Sequence, residues 1–491
     1  MYKFFTIAFL LIFLNISSIS PVKAHKREVR ATWLTTAYRL DWPQTRINTP
    51  KDITTQQKEL TQILDQLQSI NINTILFQIR HKGSTIYPSK IEPSNQILTN
   101  NSNNNSFYDP LAFIVKECHN RGMECHAWLV TIPADDLTPK NVIKYPNSKR
   151  HIIKYKGKQY LDPSHPDTKL YLASVVSEVI TQYDVDGIHL DYLRYPERMP
   201  DFPDKARYNR SKSRLSIDDW RRDNITAILK EIHKEVKQHK PWVKVSISPI
   251  GKHSDTNRYS AKGWSAYDEV KQDVYRWMQL GIVDQIYPMI YFQANNFYPF
   301  ALDWNEQKRN SHIVAGLGIY FLEDEVRTWS IEEVQRQILF TKENKLDGQA
   351  YFRTEHLLKD TKGVMSSLQK EHYRHPALIP AMPWINNIIP SQPTYIKLVL
   401  EADKAELSWG KSSDDDSNNS PKYNIYFSKT YPVDTNDAAN LLRTYLETTQ
   451  YTREATIPYE HYGYYAITAI DRYGNESEAI QLRPKQDIEI R

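Results

Sequence analysis

The fold is decided by one stretch of the sequence, YDVDGIHLDYLRYP at residues 183–196. In it, Ile188 and Leu190 alternate with His189 and Asp191, and patterns typical of helices lie on both sides. This predicts a short, buried parallel strand whose apolar side chains pack outward against helices. His189 and Asp191 then point to the other side, with Asp191 at the carboxyl end of the strand. In α/β barrels, that end carries the functional residues.

Two roles are open for Asp191 on this pattern alone. It could cap the next turn or pair with Arg194, or it could belong to a functional site. The residues that follow favour the second role. Tyr192, Tyr195 and Pro196 form a stiff, ring-rich loop over the strand end, which suits a sugar or another flat ligand.

From residue 28 onward, short apolar strands alternate with helical segments over roughly 350 residues, which is a usual length for a barrel with long loops. The eight candidate strands are 28–35, 74–80, 124–130, 187–193, 244–250, 285–291, 312–320 and 348–355. Repeated βαβ units of this kind form a closed parallel sheet. The predicted fold class is therefore α/β, with a (β/α)8 TIM barrel over residues 25–375.

The sequence changes character after the barrel. Residues 376–392 are rich in proline, which predicts a linker. Residues 393–491 then carry strand patterns without helical spacing, as in a small all-β sandwich. Trp409, the run 464–469 and the turn 472–475 resemble a fibronectin type III module. We expect this module to be a spacer or docking unit without catalysis.

Charge and aromatic content limit the classes of partner. The net charge is +5, but its 63 basic and 58 acidic residues are interspersed. Nucleic-acid binding needs a clustered basic stripe, so we expect no nucleic-acid partner. The aromatic share of 12%, with 32 Tyr and 11 Trp, is common in proteins that face carbohydrates. The oligomeric state stays open.

The first 24 residues have the pattern of a secretory signal. Lys3 precedes an apolar run over residues 4–14, and Ala24 is the small residue expected before a cleavage point. The run is too short to span a membrane, and no cysteine lies nearby to carry a lipid. We therefore expect a secreted or periplasmic protein with no transmembrane segment in the mature chain.

Cys118 and Cys125 are the two cysteines of the chain. They could form a disulfide if their Cα atoms lie within about 7 Å, or they could be two buried thiols. Neither neighbouring histidine has the spacing of a zinc finger. We expect no metal and no organic cofactor.

Polar and aromatic residues recur near the carboxyl ends of the predicted strands. Such side chains are costly core fillers unless their polar tips are used. The candidate substrate-binding residues are Trp33, Gln78, Arg80, His81, Trp128, His189, Arg194, Tyr195, Tyr287, Tyr291 and Arg353.

Six motifs resemble, in family order, the glycosyl hydrolase-like 10 family. They are EVRATWLT at 28–35, DWP at 41–43, FQIR at 77–80, YPSK at 87–90, the stretch 187–196 and SISP at 246–249. The resemblance covers about residues 26–375. It implies a TIM-barrel glycoside hydrolase of bacterial envelopes that acts on peptidoglycan glycan strands. The chain departs from many relatives at Tyr192, where they carry a second acidic residue, and at 131–133, where they have Asn-Pro-Tyr.

Alternation places two carboxylates at strand ends, Asp191 and Glu355, while Asp41 and Asp162 could reach the site from loops. Two mechanisms stay open for cleavage of an N-acetylhexosamine glycan. Asp191 and Glu355 could form the pair of catalytic carboxyls, or Asp191 could act as the acid while the 2-acetamido group of the substrate attacks. The rival prediction, favoured by the scarcity of carboxylates, is a non-catalytic glycan-binding protein of the envelope on a degenerate barrel.

Overall fold

The structure, a computed structural model, describes residues 25–100, 108–137, 151–199, 201–413, 421–482 and 488–490. The predicted signal at residues 1–24 lies outside them. Within the described ranges, none of the helices combines the length and apolar character that a membrane span requires.

Eight parallel strands form a closed barrel. They run in the order β1-β2-β4-β7-β8-β9-β10-β11, and β11 pairs back with β1. This confirms the predicted barrel. The strands before residue 375 are β1 (Val29–Leu34), β2 (Thr74–His81), β3 (Ser84–Thr85), β4 (Glu124–Val130), β5 (Ile152–Tyr155), β6 (Lys158–Leu161), β7 (Gly187–Asp191), β8 (Lys244–Ile247), β9 (Gln285–Ile286), β10 (His312–Leu317) and β11 (Gly348–Tyr351).

Helices surround the barrel, and three of them begin in the same way. Pro50, Pro110 and Pro166 each occupy the first turn, where a missing N–H costs nothing. The helices are α1 (Pro50–Ser69), α2 (Pro110–Asn120), α3 (Pro166–Gln182), α4 (Lys205–Ser211), α5 (Ile217–His239), α6 (Val274–Gln279), α7 (Tyr298–Glu306), α8 (Ile331–Glu343), α9 (Thr354–Leu358) and α10 (Val364–Ser367).

Residues 356–373, whose sequence has a helical pattern, do not form one helix. The helical conformation is broken between α9 and α10, because Asp360 and Lys362 adopt left-handed backbone angles there. This break lies outside the closed sheet and leaves the barrel unchanged.

Apolar side chains fill the barrel on both sides of its strands. Ile188 and Leu190 of β7 belong to the outer core, between strands and helices, as the alternation predicts. Trp33, Trp128 and Tyr287 belong to the core inside the barrel. The interior is therefore packed, and a ligand of sugar size can bind only at a rim.

The C-terminal part consists of two four-stranded sheets that share one apolar core. The sheet orders are β16-β13-β12-β19 and β15-β14-β17-β18. Leu398 and Trp409 from the first sheet pack with Ile425 and Ile467 from the second. A relation to fibronectin type III modules stays a prediction. The strands are β12 (Ile396–Leu400), β13 (Lys404–Trp409), β14 (Lys422–Ser428), β15 (Leu441–Leu446), β16 (Gln450–Glu454), β17 (Tyr464–Ile470), β18 (Ile480–Gln481) and β19 (Ile488–Ile490).

These sheets contact the amino ends of the barrel strands. Arg472 forms an ion pair with Asp184 at 2.6 Å, just before β7. Leu378, in the predicted linker, packs into an apolar cluster with Tyr426 and Leu441 of the sheets. The start of the proline-rich segment is thus buried and fixed rather than a free tether.

Cys118 and Cys125 are both buried and both free. A hydrogen bond that the Cys125 thiol donates to Cys118, together with burial, raises the pKa of Cys125 well above its ordinary value. Of the two possibilities that the sequence leaves open, the structure shows the pair of thiols.

Candidate active site

An open cleft of about 760 Å³ lies at the carboxyl ends of the barrel strands. Strand ends form its floor, and the loops after β1, β4 and β7 form its walls. Several residues selected from the sequence line it. Those with side chains at the cleft are Gln78, His81, Trp128, Asp191, Arg194, Tyr291 and Arg353.

Asp191 ends β7 on the floor of the cleft and is 6% exposed. Its Oδ2 accepts a hydrogen bond from Trp128 Nε1 at 3.2 Å, and its Oδ1 accepts one from the backbone N–H of Tyr192 at 2.8 Å. Burial raises the pKa of Asp191 above its ordinary value of 3.8, against the opposing charge of Arg194. A carboxyl in this state holds its proton longer than an ordinary aspartate, as a general acid must.

This pKa shift predicts a pH-dependent stability. Since folding raises the pKa, Asp191 contributes stability below about pH 4 that is lost as the pH rises through the raised value. At pH 7 we therefore expect Asp191→Asn to raise Tm by roughly 1–3 °C. Thermal melts of both proteins at pH 4 and pH 7 check this, and the difference should shrink at the lower pH. A lower Tm for the variant at pH 7 would contradict it.

Two buried donors at the cleft have no hydrogen-bond partner among the described residues. They are the Tyr291 hydroxyl and Arg194 Nη1. Arg194 uses Nη2 to pair with Glu197 at 3.0 Å, and its guanidinium lies 4.5 Å from the Tyr192 ring centre. Unpaired buried donors are costly, so both groups are suited to bind oxygens of a ligand.

Gln78 and His81, on β2, contact the loop after β1, which forms one wall of the cleft. Gln78 Oε1 accepts hydrogen bonds from the Thr35 hydroxyl at 2.6 Å and from the backbone N–H of Ala37 at 2.8 Å. The His81 ring contacts Tyr38, with ring centres 5.6 Å apart. Burial and Lys82 lower the pKa of His81, which keeps its ring neutral at pH 7.

The opposite wall is a hairpin of β5 and β6 that sequence reasoning missed. Its cleft residues are Tyr155, Lys156, Lys158 and Tyr160. The signal was present, because polar and aromatic residues alternate around Gly157, whose φ of 78° suits a tight turn. Tyr160 also pairs with Pro133 across the loop.

Arg80 does not line the cleft, which corrects its assignment as a substrate-binding residue. It is fully buried and paired with Glu92, and Tyr171 donates to the same carboxylate. A β-bulge between Gln78 and Arg80 breaks the alternation of β2. Arg80 consequently lies beside Leu129, a residue of the outer core, and points toward α3.

Trp33, His189 and Tyr287 lie inside the barrel, below the cleft, and this too corrects their assignment. Trp33 Nε1 donates to His189 Nε2 at 3.1 Å, so His189 Nδ1 carries the hydrogen toward Ser246 Oγ, 2.9 Å away. Burial lowers the pKa of His189 well below its ordinary value. Its neutral ring packs inside the barrel and supports the residues that form the floor of the cleft.

Tyr195 borders the cleft, but its side chain is fully buried against Phe202, with ring centres 5.3 Å apart. The sequence suggested that this ring stacks on a ligand in the cleft, but its burial prevents that contact. The loop ring that remains partly exposed at the cleft is Tyr192, with 42% of its surface accessible.

Glu355 lies outside the cleft, which corrects its assignment as a second catalytic carboxyl. It belongs to the start of α9, where it forms ion pairs with Arg353 and Lys359. Although burial raises its pKa, the hydrogen bond from Lys359 and the charge of Arg353 leave the pKa below its ordinary value. In β11, Ala350 faces the barrel interior, so the alternation is one residue out of step with the prediction.

The two loop carboxylates also have structural partners. Asp41 accepts hydrogen bonds from Arg353 Nη1 at 2.6 Å and from the backbone N–H of Thr35 at 2.7 Å. Asp162 accepts from the Ser164 hydroxyl and from Arg207. Neither lines the cleft in the part of the chain that the structure describes.

Comparison with known proteins agrees with this geometry. The family model described as glycosyl hydrolase-like 10 matches residues 28–328. Glycosyl hydrolase YngK of Bacillus subtilis is 32% identical over 486 residues, which are 94% of each chain. The chain belongs to the glycosyl hydrolase-like 10 family. Glycosyl hydrolase DigH of Escherichia coli K12 is 30% identical over 381 residues, covering 70% of this chain and 86% of DigH.

The barrel of this glycosyl hydrolase-like 10 protein also resembles a solved structure. The glycoside hydrolase domain of PgaB from Bordetella bronchiseptica aligns with a TM-score of 0.51 over 70% of this chain and 98% of that domain. The identity is 12%, so this likeness concerns the fold alone.

For this glycosyl hydrolase-like 10 barrel we expect Glu355→Gln to change turnover by less than about threefold, because a catalytic carboxyl would cost ~100-fold or more. The reason is that Glu355, on α9, lines a groove between α9 and α1 and does not line the cleft. Steady-state kinetics on a glycan that the native protein cleaves check this. A hundredfold loss in a variant with native Tm would restore the two-carboxyl mechanism.

Proposed function

We propose that this protein is a glycoside hydrolase that cleaves a glycan containing N-acetylhexosamine, with peptidoglycan glycan strands as the substrate class. Family membership supports a glycan-active enzyme. The observation that carries the proposal is Asp191, a buried carboxyl with a raised pKa that opens into a cleft with unpaired donors.

Among the described residues, the other carboxylates that line the cleft, Asp135 and Glu197, are poor candidates for a second catalytic group. Asp135 and Glu197 are 27% and 34% exposed, and they pair with Lys82 at 3.6 Å and with Arg194 at 3.0 Å. A nucleophile or base of the ordinary two-carboxyl mechanisms is held at a set distance from the acid. This favours the substrate-assisted mechanism, with Asp191 as the single acid.

In this mechanism, Asp191 gives its proton to the glycosidic oxygen while the acetamido oxygen of the substrate bonds to C1, and the leaving sugar departs with that proton. Water then attacks C1, the Asp191 carboxylate takes a proton from it, and the acetamido group is released. Both steps invert C1, so the product retains the original configuration. We assign to Tyr291, whose hydroxyl has no partner among the described residues, the role of donating a hydrogen bond to the acetamido group.

The lining of the cleft is consistent with a glycan that carries carboxylates. Arg194 has a free N–H, and Lys156 and Lys158 stand on the hairpin wall. The Tyr291 and Phe352 rings, which stack with their centres 5.5 Å apart, offer apolar faces to sugar rings. The signal pattern at residues 1–24 supports export to the envelope, where such a polymer lies.

Incubation of the purified protein with peptide-stripped peptidoglycan strands, and separately with chitin oligomers, tests the proposal. New reducing ends should appear with the first substrate and be absent with heat-inactivated protein. Binding without cleavage would favour the rival function, a glycan-binding protein on a degenerate barrel. Cleavage of chitin alone would keep the enzyme and change the substrate.

We expect Tyr291→Phe to lower kcat about 10- to 100-fold with a smaller effect on KM, because its hydroxyl would bind the acetamido group most tightly as charge develops. Kinetics on the cleaved substrate measure this. Tyr320→Phe is the matched control, since Tyr320 contacts the Tyr291 ring at 5.9 Å and does not line the cleft among the described residues. Equal kcat values in both variants would contradict the role of Tyr291.

A further inference from the structure

We propose a second ligand site, outside the cleft: a site for a divalent transition metal, best matched by Zn²⁺, formed by His151, His165 and Asp167. One ligand atom from each residue lies within 4.8 Å of the other two. Two imidazoles and one carboxylate are a donor set that Zn²⁺ prefers. None of the three is among the described residues that line the cleft.

His151 is the observation that points to a ligand. It is fully buried, and both of its ring nitrogens lack a hydrogen-bond partner among the described residues. The other buried histidines among the described residues pair at least one ring nitrogen, and His189 pairs both, with Trp33 and Ser246. Leaving both unpaired costs stability, and coordination of a metal would satisfy one of them.

The backbone around the cluster holds these side chains in place. The backbone N–H of Asp162 donates to the carbonyl of His151 at 2.6 Å. His165 caps α3, where its Nδ1 accepts from the backbone N–H of Asp167 at 3.2 Å. Ligand atoms of one tetrahedral Zn²⁺ lie about 3.3 Å apart, so modest side-chain rotations would bring the three donors into range.

The cluster is open on one side. The side chains of His165 and Asp167 are 12% and 33% exposed, which gives a metal ion access from solvent. Three protein ligands also leave a fourth position for water. The site is therefore built at the surface around one buried imidazole.

The position of the cluster assigns a structural role to the metal. His151 directly precedes β5, and His165 follows β6 by only a short turn. A shared ion would hold both ends of this hairpin against the start of α3. Because the hairpin supplies Tyr155 and Tyr160 to the cleft, the metal would fix one wall of the cleft.

The test uses the mature full-length chain without an affinity tag, stripped of metal with a chelator. Titration calorimetry with ZnCl₂ should give one equivalent bound, and Zn²⁺ at saturating concentration should raise Tm by several degrees. Co²⁺ should give the visible absorption of a tetrahedral site. His151→Ala and His165→Gln should each weaken Zn²⁺ binding at least ~10-fold.

The control is His239→Gln, because His239 lies on the surface of α5 with 43% exposure and should leave binding unchanged. Asp167→Asn replaces an exposed carboxylate, so it decides the matter if His151→Ala fails to fold. Absence of Zn²⁺ and Co²⁺ binding overturns the proposal. Unchanged stoichiometry and affinity in both His165→Gln and Asp167→Asn overturns it as well.

Discussion

Asp191→Asn should lower turnover at least ~100-fold while substrate binding survives. The substitution keeps the shape of the side chain and an oxygen that can accept from Trp128 Nε1, but it removes the proton source. General acid catalysis is commonly worth a factor of ~10²–10⁴. Release of reducing ends measures turnover, and sedimentation with insoluble peptidoglycan measures binding.

The matched control is Asp135→Asn, which changes a carboxylate of the same cleft that pairs with Lys82. Its turnover should stay close to that of the native protein. A folded D191N protein with near-native turnover would move the active site elsewhere on the barrel. A large loss in D135N would instead identify Asp135 as a second catalytic carboxyl.

The largest expected effect on stability comes from Arg80→Met, which should lower the free energy of unfolding by about 3–5 kcal/mol. Arg80 and Glu92 are both fully buried and form a bidentate pair, with two contacts of 2.7 Å. The substitution leaves the Glu92 charge without its partner in a place that water does not reach. Urea denaturation of both proteins measures the difference.

Two further variants separate this cause from simple loss of packing. Adding Glu92→Gln to Arg80→Met removes the stranded charge and keeps an acceptor for the Tyr171 hydroxyl, so it should recover part of the loss. Arg258→Met breaks an exposed pair with Glu306 and should shift the midpoint little. If the double variant is no more stable than Arg80→Met, the buried charge is not the cause.

The closed barrel could be predicted because its signal is repeated. Each of the eight strands carries its own apolar run, and a helix pattern lies between most of them. The residues of β7 that face the barrel interior could also be predicted, because the alternation has no interruption between Gly187 and Asp191. Asp191, the residue on which the proposed function rests, was placed from this regular pattern.

Other site residues were misplaced because alternation fails where a strand is irregular or has already ended. The bulge in β2 turns Arg80 outward. The strand β11 is regular but ends at Tyr351, so Glu355 lies on α9 and not on a strand. No glycine or proline lies between Gln78 and Arg80 to signal the bulge. A hydrogen-bond register between strands was needed to find the bulge and the end of β11.

Alternation predicts which side of a strand a residue faces, but it does not predict how deep along the barrel axis that residue lies. Trp33, His189 and Tyr287 face inward as predicted, yet they lie in the packed layer below the cleft. Depth depends on how neighbouring strands are staggered, which a single sequence does not encode locally. The hairpin wall escaped notice because it lies inside the long loop between β4 and α3, outside the repeated strand and helix pattern of the barrel.

The C-terminal sheets are joined to the barrel at the amino ends of its strands, through contacts such as Arg472 with Asp184, while the cleft opens at the other end. Anything attached to these sheets is therefore kept away from the mouth of the cleft. If the protein is attached through these sheets, the cleft therefore faces away from the point of attachment. A glycan strand lying across the cleft would not have to pass the point of attachment.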